Sequence, residues 1–184
     1  MTEIALIWDR PILFEKLFAE YGFAYERVSP LQIGSAYAPK FKVAILPVGF
    51  GNPAYSTVAK LVKVIGTPLR RFVEEGGVLI AFSPYVDADF AWLKLACTFR
   101  FRPHEKPISI RVKTPHPAAR ILDVLEAQTD GFFAEVREED VILCSEDGAV
   151  LLVTTAGEGY IVLSAIHEFP ARRFIAWAVE TARP

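Results

Sequence analysis

The sequence predicts a three-layer α/β domain, in which helices cover both faces of a mostly parallel, doubly wound (flavodoxin-like) sheet. Short apolar runs alternate with amphipathic segments from residue 4 to residue 82, the rhythm of strands joined by crossover helices. The unbroken apolar run at 78–82 is typical of a parallel strand buried on both faces. After residue 87 the strands become closely spaced, which predicts some antiparallel pairing in the C-terminal half.

The N-terminal half is predicted to contain four strands and two helices. The strands are Ile4–Trp8, Phe23–Val28, Val43–Pro47 and Val78–Phe82. The first helix begins after Asp9 and Pro11, which are ordinary start signals, and ends at Gly22. The second helix covers Val58–Glu75, with a break predicted at residues 66–68, where the sequence is Gly, Thr, Pro.

The C-terminal half is predicted to be richer in strands. These are Phe99–Arg102, Ile108–Lys113, Phe132–Val136, Val141–Ser145, Val150–Thr155 and Tyr160–Ser164. Helical segments are predicted over Phe90–Leu95, Ala118–Glu126 and Ala171–Val179. No linker-like stretch interrupts the sequence pattern, so residues 1–184 are predicted to form a single domain.

The composition narrows the class of protein. Apolar residues make up 52% of the chain and charged residues 23%, which excludes a disordered chain. The net charge of -2 predicts no nucleic-acid partner. The apolar run near the N-terminus is bracketed by Glu3 and Asp9 and is too short for a signal peptide or a membrane span. We therefore expect a cytoplasmic protein with no membrane association. The scarcity of Met and Asn hints at a thermophilic source.

Neither the cysteines nor the histidines show the spacing of a metal site, so no metal or other cofactor is predicted. Cys97 and Cys144 are interpreted as structural rather than reactive thiols. His104 and His116 lie in proline-flanked loops. The aromatic and basic stretch at 99–113 is interpreted as an edge strand with a solvated face; binding of a single nucleic-acid strand or a phosphate is the alternative.

Polar residues follow four of the predicted strands. In an open parallel sheet, ligands bind beyond the carboxyl ends of the strands. The candidate ligand-binding residues in these loops are Asp9, Gly49, Gly51, Asn52, Ser83, Tyr85 and His167. Four of them have a structural alternative: Asp9 as a helix cap, the two glycines as turn residues, and His167 as a hydrogen-bond partner of the backbone. Glu168, which follows His167, is either part of the site or a favourable charge before the closing helix.

Three segments together resemble the class I glutamine amidotransferase-like superfamily. They are LPVGFGN at 46–52, GGVLIAFSP at 76–84 and GEGYIVLSAIHEFP at 157–170. The resemblance implies that Gly49 and Gly51 match the family's oxyanion loop. It also implies that Ser83, or Phe82, falls at the nucleophile and that His167 matches the catalytic histidine.

The sequence departs from the family at the nucleophile. No Cys stands there, and Glu168 follows His167 directly rather than two residues later. Pro84 favours an extended conformation of Ser83 and lacks the N–H that would stabilise an oxyanion. Losing one such donor typically costs about 10²–10³ in rate. The sequence therefore predicts a divergent member without the family's catalytic machinery.

Two functions from different classes are predicted. The first is a non-catalytic module that binds a small polar ligand at the strand ends, or that binds a protein partner or a second copy of itself through surplus aromatic side chains. On this hypothesis Asn52, Ser83, Tyr85 and His167 line one shallow pocket. The alternative is a divergent hydrolase or amidase, with Ser83 as the nucleophile, His167 as the base and Glu168 or Asp9 orienting the base.

Overall fold

The computed structural model describes residues 2–95, 99–124 and 126–184. In this part of the chain the elements are β1 (Thr2–Ile7), α1 (Leu13–Tyr21), β2 (Tyr25–Val28), β3 (Phe41–Leu46), α2 (Val58–Glu74), β4 (Val78–Ala81), β5 (Ala88–Asp89), β6 (Arg100–Ser109), β7 (Arg111–Val112), β8 (Glu126–Ala134), β9 (Val141–Cys144), β10 (Ala149–Ala156), β11 (Gly159–Ser164) and α3 (Arg172–Thr181). Short 3-10 helices lie at Pro30–Gln32, Ala91–Leu93, Pro117–Ile121 and Glu138–Asp140.

All eleven strands belong to one sheet. Its parallel half has the order β2-β1-β3-β4-β11, and its antiparallel half continues as β10-β8-β6-β5. Strand β9 pairs with both β10 and β7. The predicted α/β class, with antiparallel strands in the C-terminal half, is confirmed. Strand β11 joins the two halves, because it is parallel to β4 on one side and antiparallel to β10 on the other.

The helices cover both faces of this sheet. The β1–α1–β2 and β3–α2–β4 connections run in opposite directions along the sheet. Because such connections are right-handed, α1 and α2 lie on opposite faces. Helix α3 lies beside α1, since Tyr21 donates a hydrogen bond to the carbonyl of Pro170 at 3.2 Å and Arg172 donates one to the carbonyl of Tyr21 at 3.1 Å. The arrangement is three-layered.

The core is built on the parallel strands. Every residue of β4 is fully buried, as the continuous apolar run predicted. Helix α1 ends at Gly22, which adopts a left-handed conformation with φ of 78°, as predicted for a C-terminal glycine. Strand β2 lies at an edge of the sheet.

The predicted break in the second helix is wrong. Helix α2 is continuous and contains Pro68. Gly66 serves a packing role instead, because a Cβ atom there would lie 2.3 Å from the carbonyl oxygen of Trp92. The close approach of the 91–93 turn therefore requires the glycine, and the sequence signal for a helix break was a signal for tight packing.

Several elements of the C-terminal half differ from those that the local sequence patterns predicted. The two strands predicted at 99–102 and 108–113 are mainly one long strand, β6, with an irregularity between Pro103 and Lys106, followed by the short β7. The helices predicted over 90–95 and 118–126 are only short 3-10 helices. In the second case, pairing with β6 extends β8 back to Glu126. Leu125 of the second segment and Cys97 lie outside the described residues.

Strand β6 is close to the edge of the sheet, as the sequence suggested for this basic stretch. Among the described strands, its outer side pairs with the two-residue β5 alone. Its basic side chains form ion pairs: Arg100 and Arg102 with Asp87, and Lys106 with Asp147. Prolines and charges of this kind protect an edge against pairing with other chains. In the described residues, no helix is both long and apolar enough to cross a membrane.

Candidate functional site

The strand-end loops lie together at one edge of the parallel half. Strands β1, β3, β4 and β11 run in the same direction, so their carboxyl ends share this edge. The loops are also bonded to one another. The N–H of Gly49, after β3, donates to the carbonyl of Ser83, after β4, at 2.7 Å. The predicted grouping of these loops therefore has a geometric basis.

Asp9 caps a helix, but not the one that follows it. Its Oδ2 accepts the N–H of Thr57 at 2.7 Å, and its Oδ1 accepts the hydroxyls of Ser56 at 3.1 Å and Thr57 at 2.9 Å. Thr57 directly precedes α2. Both carboxylate oxygens of Asp9 thus accept hydrogen bonds from the residues that precede α2, and Asp9 fixes the start of this helix. At the start of α1, the N–H of Ile12 is bonded by Glu15 instead.

The glycines of the 48–57 loop are required by close packing. Gly49 has φ of 85°, and a Cβ atom there would lie 2.6 Å from the Tyr55 ring. A Cβ atom on Gly51 would lie 2.6 Å from the Cβ of Pro84. Asn52 accepts the N–H of Ala54 at 2.9 Å with its side-chain oxygen. The loop is folded on itself, and the N–H of Gly49 already has a partner in the carbonyl of Ser83.

Ser83 is fully buried. Its Oγ accepts the N–H of Tyr85 at 3.0 Å. The hydroxyl also interacts with Asp130, where it acts to lower the pKa of that carboxyl. The described link between Ser83 and His167 therefore runs through Asp130.

A short side-chain contact joins His167 to Asp130. The Nδ1 of His167 lies 2.6 Å from the Oδ1 of Asp130. The Asp130 side chain is completely buried, whereas that of His167 is 51% exposed. An imidazole N–H donating to a carboxylate leaves Nε2 free to accept a hydrogen bond. The histidine therefore turns its second nitrogen away from the carboxylate.

The backbone fixes this pair. Beyond Ser164, the chain leaving β11 reaches past the start of β10 and pairs with β8, through an isolated bridge between Thr129 and Ile166. The N–H of Asp130 donates to the carbonyl of Ala165 at 2.9 Å, and the N–H of His167 donates to the carbonyl of Gln128 at 3.0 Å. The two side chains are thus held by a sheet-like ladder rather than by a flexible loop.

Sequence reasoning missed Asp130. It lies in the antiparallel half, on a strand, whereas the search considered loops after parallel strands. The available signal was an acidic residue directly before the short apolar run GFFA at 131–134, because a carboxylate that becomes buried is rare without a partner.

The electrostatics of Asp130 are those of a buried charge. Burial raises the pKa of Asp130, while the hydrogen bond and charge of His167 act to lower the pKa. Among the residues that the structure describes, none forms a hydrogen bond with Oδ2 by distance and angle. An unsatisfied buried acceptor typically costs about 1–3 kcal/mol. Perturbed, incompletely satisfied groups of this kind concentrate at functional sites.

A small cavity lies beside this carboxylate. It has a volume of about 200 Å³, and its walls are Tyr85, Pro103, His104, Glu105 and Asp130. The Tyr85 hydroxyl donates to Oε2 of Glu105 at 3.1 Å, and this hydrogen bond raises the pKa of Tyr85. Tyr85 adopts a left-handed backbone with φ of 63°, which is uncommon for a residue other than glycine. Of the four residues predicted to share a pocket, Tyr85 lines this one.

Glu168 points elsewhere. Its Oε1 accepts the N–H of Gln128 at 2.6 Å, so the carboxylate that orients His167 is Asp130. Glu168 and Gln128 line a larger, open groove of about 710 Å³ along β6 and β8. The smaller cavity is the better candidate site, because it combines a buried carboxylate with a position at the strand ends. Within the described residues, no three His, Cys, Asp or Glu side chains form a group that could hold a metal ion.

Comparisons with known proteins find similarity in structure but not in sequence. No protein-family model and no curated protein sequence matches the chain. One chain of PurLQS from Thermotoga maritima is 10% identical, with 98% of each chain covered and a TM-score of 0.64. Cytoplasmic protein STM3548 from Salmonella typhimurium is 10% identical, with 100% of each chain covered and a TM-score of 0.59.

A third similar structure is much longer. The β-galactosidase from Bacillus circulans sp. alkalophilus is 14% identical with a TM-score of 0.57, and the match covers 98% of this chain and 30% of that one. The chain thus spans about 30% of the β-galactosidases to which it is similar. Identities this low establish a shared fold alone. The matched chain of PurLQS shares the fold of this chain, and this shared fold is compatible with the resemblance.

Proposed function

We propose that this protein is a non-catalytic member of the glutamine amidotransferase-like fold that binds a small polar ligand at the carboxyl ends of its parallel strands. The observation that carries the proposal is the 2.6 Å contact between buried Asp130 and half-exposed His167. The buried carboxylate orients the imidazole, and the exposed part of the ring is available to a ligand. Similarity to a cytoplasmic protein of Salmonella supports a cytoplasmic location.

The surroundings of Ser83 favour binding over covalent catalysis. A serine nucleophile needs a base within about 2.6–3.2 Å of its hydroxyl and N–H donors for the oxyanion. The Ser83 hydroxyl is buried and interacts with Tyr85 and Asp130. Pro84 has no N–H, and the N–H of Gly49 is bonded to a carbonyl. These contacts support a structural role for Ser83 beneath the site.

The proposal is tested by separating the two ring nitrogens of His167. In His167→Asn the side-chain amide lies where Nδ1 lies and keeps a donor for Asp130, while Nε2 is lost. A thermal-shift screen of a metabolite library should give ligands that stabilise the wild type and the control Lys60→Ala but not His167→Asn. If every ligand found in the screen stabilises His167→Asn as much as the wild type, the ligands do not bind at His167 and the proposal fails.

A divergent hydrolase is the second candidate, and the Asp130–His167 pair favours it, because a carboxylate that orients a histidine is part of many hydrolase sites. Labelling with a fluorophosphonate distinguishes the two. On the binding proposal, wild type and Ser83→Ala react equally weakly. Strong labelling of the wild type that disappears in Ser83→Ala would establish the hydrolase.

A further inference from the structure

We infer that the ligand of the cavity beside Asp130 is a small organic cation, an aliphatic amine or diamine. This inference rests on the proposed binding function and adds the chemical class of the ligand. Its basis is that two of the side chains lining the cavity are carboxylates, and that one oxygen of the buried carboxylate has no described hydrogen-bond partner.

The first acceptor is Asp130, which lines the cavity and is only 2% exposed to solvent. Its Oδ2 has no hydrogen-bond partner by distance and angle in the described part of the chain. Burial in a low-dielectric region strengthens the attraction of this carboxylate for a positive charge. A ligand ammonium would supply a donor to Oδ2, while Oδ1 keeps its contact with His167.

The second acceptor is Glu105, which is exposed at the mouth of the cavity. The Tyr85 hydroxyl bonds one of its oxygens. The negative charges of Glu105 and Asp130 both raise the pKa of Tyr85, so both act at the Tyr85 hydroxyl in the cavity wall. The positively charged side chains on the neighbouring part of β6 do not offset them, because Arg100 and Arg102 are paired with Asp87.

The size of the cavity favours a small ligand over a large one, and the number of carboxylates in its wall favours an amine over a metal ion. A volume of about 200 Å³ is below the roughly 300–1,000 Å³ of pockets for drug-sized ligands, so the cavity suits a small ligand. A metal ion would need several ligands converging on one point. The described residues include no group of three His, Cys, Asp or Glu side chains arranged in this way.

The test uses three linear probes of equal length: 1,4-diaminobutane, 1,4-butanediol and succinate, at equal ionic strength. Calorimetric titration of the full chain should show the diamine binding about tenfold or more tightly than the diol, with succinate weaker still. Glu105→Gln should weaken diamine binding about tenfold. The control Glu26→Gln makes the same change on exposed β2, at the opposite edge of the sheet, and should leave the affinity unchanged.

The outcomes separate this inference from the proposed function. Equal affinity for diamine and diol, or no effect of Glu105→Gln, overturns the cation inference. Binding of succinate that is lost in His167→Asn also overturns it but leaves the binding function standing. Diamine binding that survives Glu105→Gln and His167→Asn together contradicts both.

Discussion

Asp130 is a carboxylate that the fold keeps in an unfavourable environment. Its side chain is completely buried, and its Oδ2 has no described hydrogen-bond partner. Taking a charge out of water costs free energy that a neutral group of the same shape avoids. A residue retained at the expense of stability is typical of a functional site. This trade-off gives a test that needs no ligand.

We expect Asp130→Asn to unfold at the same or a higher urea concentration than the wild type at pH 7. Because the pKa of Asp130 is raised in the folded state, the folded protein binds more protons than the unfolded chain above about pH 4. The contribution of Asp130 to stability therefore falls as pH rises through the raised pKa. The advantage of the variant should grow between pH 4 and pH 7.

Urea denaturation of both proteins at several pH values measures this difference. If Asp130→Asn is instead several kcal/mol less stable at pH 7, the carboxylate stabilises the fold and its role is structural.

His167 should matter to stability only through Asp130. Removing the imidazole in His167→Ala leaves the buried carboxylate without its partner, which should cost about 1–3 kcal/mol at pH 7. In an Asp130→Asn background the same change should cost below about 1 kcal/mol, because the histidine side chain is half exposed. A double-mutant cycle measured by chemical denaturation gives the coupling. Equal costs in both backgrounds would show that the pair is not coupled.

Among the elements, α2 shows how packing overrides local preference. Gly66→Ala would improve intrinsic helix propensity by about 1 kcal/mol. The new Cβ atom would lie 2.3 Å from a backbone oxygen of Trp92, and overpacking typically costs about 1–3 kcal/mol. We therefore expect a net loss in thermal and urea stability. The control Val64→Ala, at a 67% exposed position of the same helix, should change stability by no more than about 0.5 kcal/mol.

The 3-10 helix at 117–121 should make stability depend on pH. The Nδ1 of His116 accepts the N–H of Ala118 at 3.1 Å, and burial lowers the pKa of His116. The unfolded chain, with a histidine pKa of about 6.5, then binds more protons than the folded state between that value and the lowered pKa. Stability contributed by His116 is thus present above about pH 6.5 and lost below it.

His116→Asn keeps a capping side chain but does not titrate. Between pH 7.5 and pH 5.5 we expect the wild type to lose more unfolding free energy than this variant does. Parallel pH curves for the two proteins would contradict the assignment.

The sequence was sufficient for elements that local patterns define. Continuous apolar runs predicted the parallel strands, and Gly22 marked the end of α1. It was insufficient where distant pairing decides. The extension of β8 to Glu126 depends on β6, and the opposition of Asp130 to His167 depends on contacts between residues 37 positions apart. No local spacing encodes such a contact, so the candidate site was predicted only on its parallel side.

At the scale of the whole molecule, the candidate site lies where the two halves of the sheet meet. The parallel half supplies the loops after β4 and β11, with Tyr85 and His167. The antiparallel half supplies Glu105 from β6 and Asp130 from β8. Strand β11 joins the two halves, because it pairs with β4 in the parallel half and with β10 in the antiparallel half. The family resemblance concerned only the loops of the parallel half. It therefore did not indicate Glu105 and Asp130, which the antiparallel half contributes to the site.

The most direct test of the binding function follows the histidine rings by NMR in protein with isotopically labelled histidine. Pools of small amines, acids and amides would be added at constant pH. The account predicts that at least one pool shifts the ring signals of His167 and leaves those of His116, on the 3-10 helix, unchanged. Signals of His167 that no pool moves, or that move only together with those of His116, would contradict a ligand site at the Asp130–His167 pair.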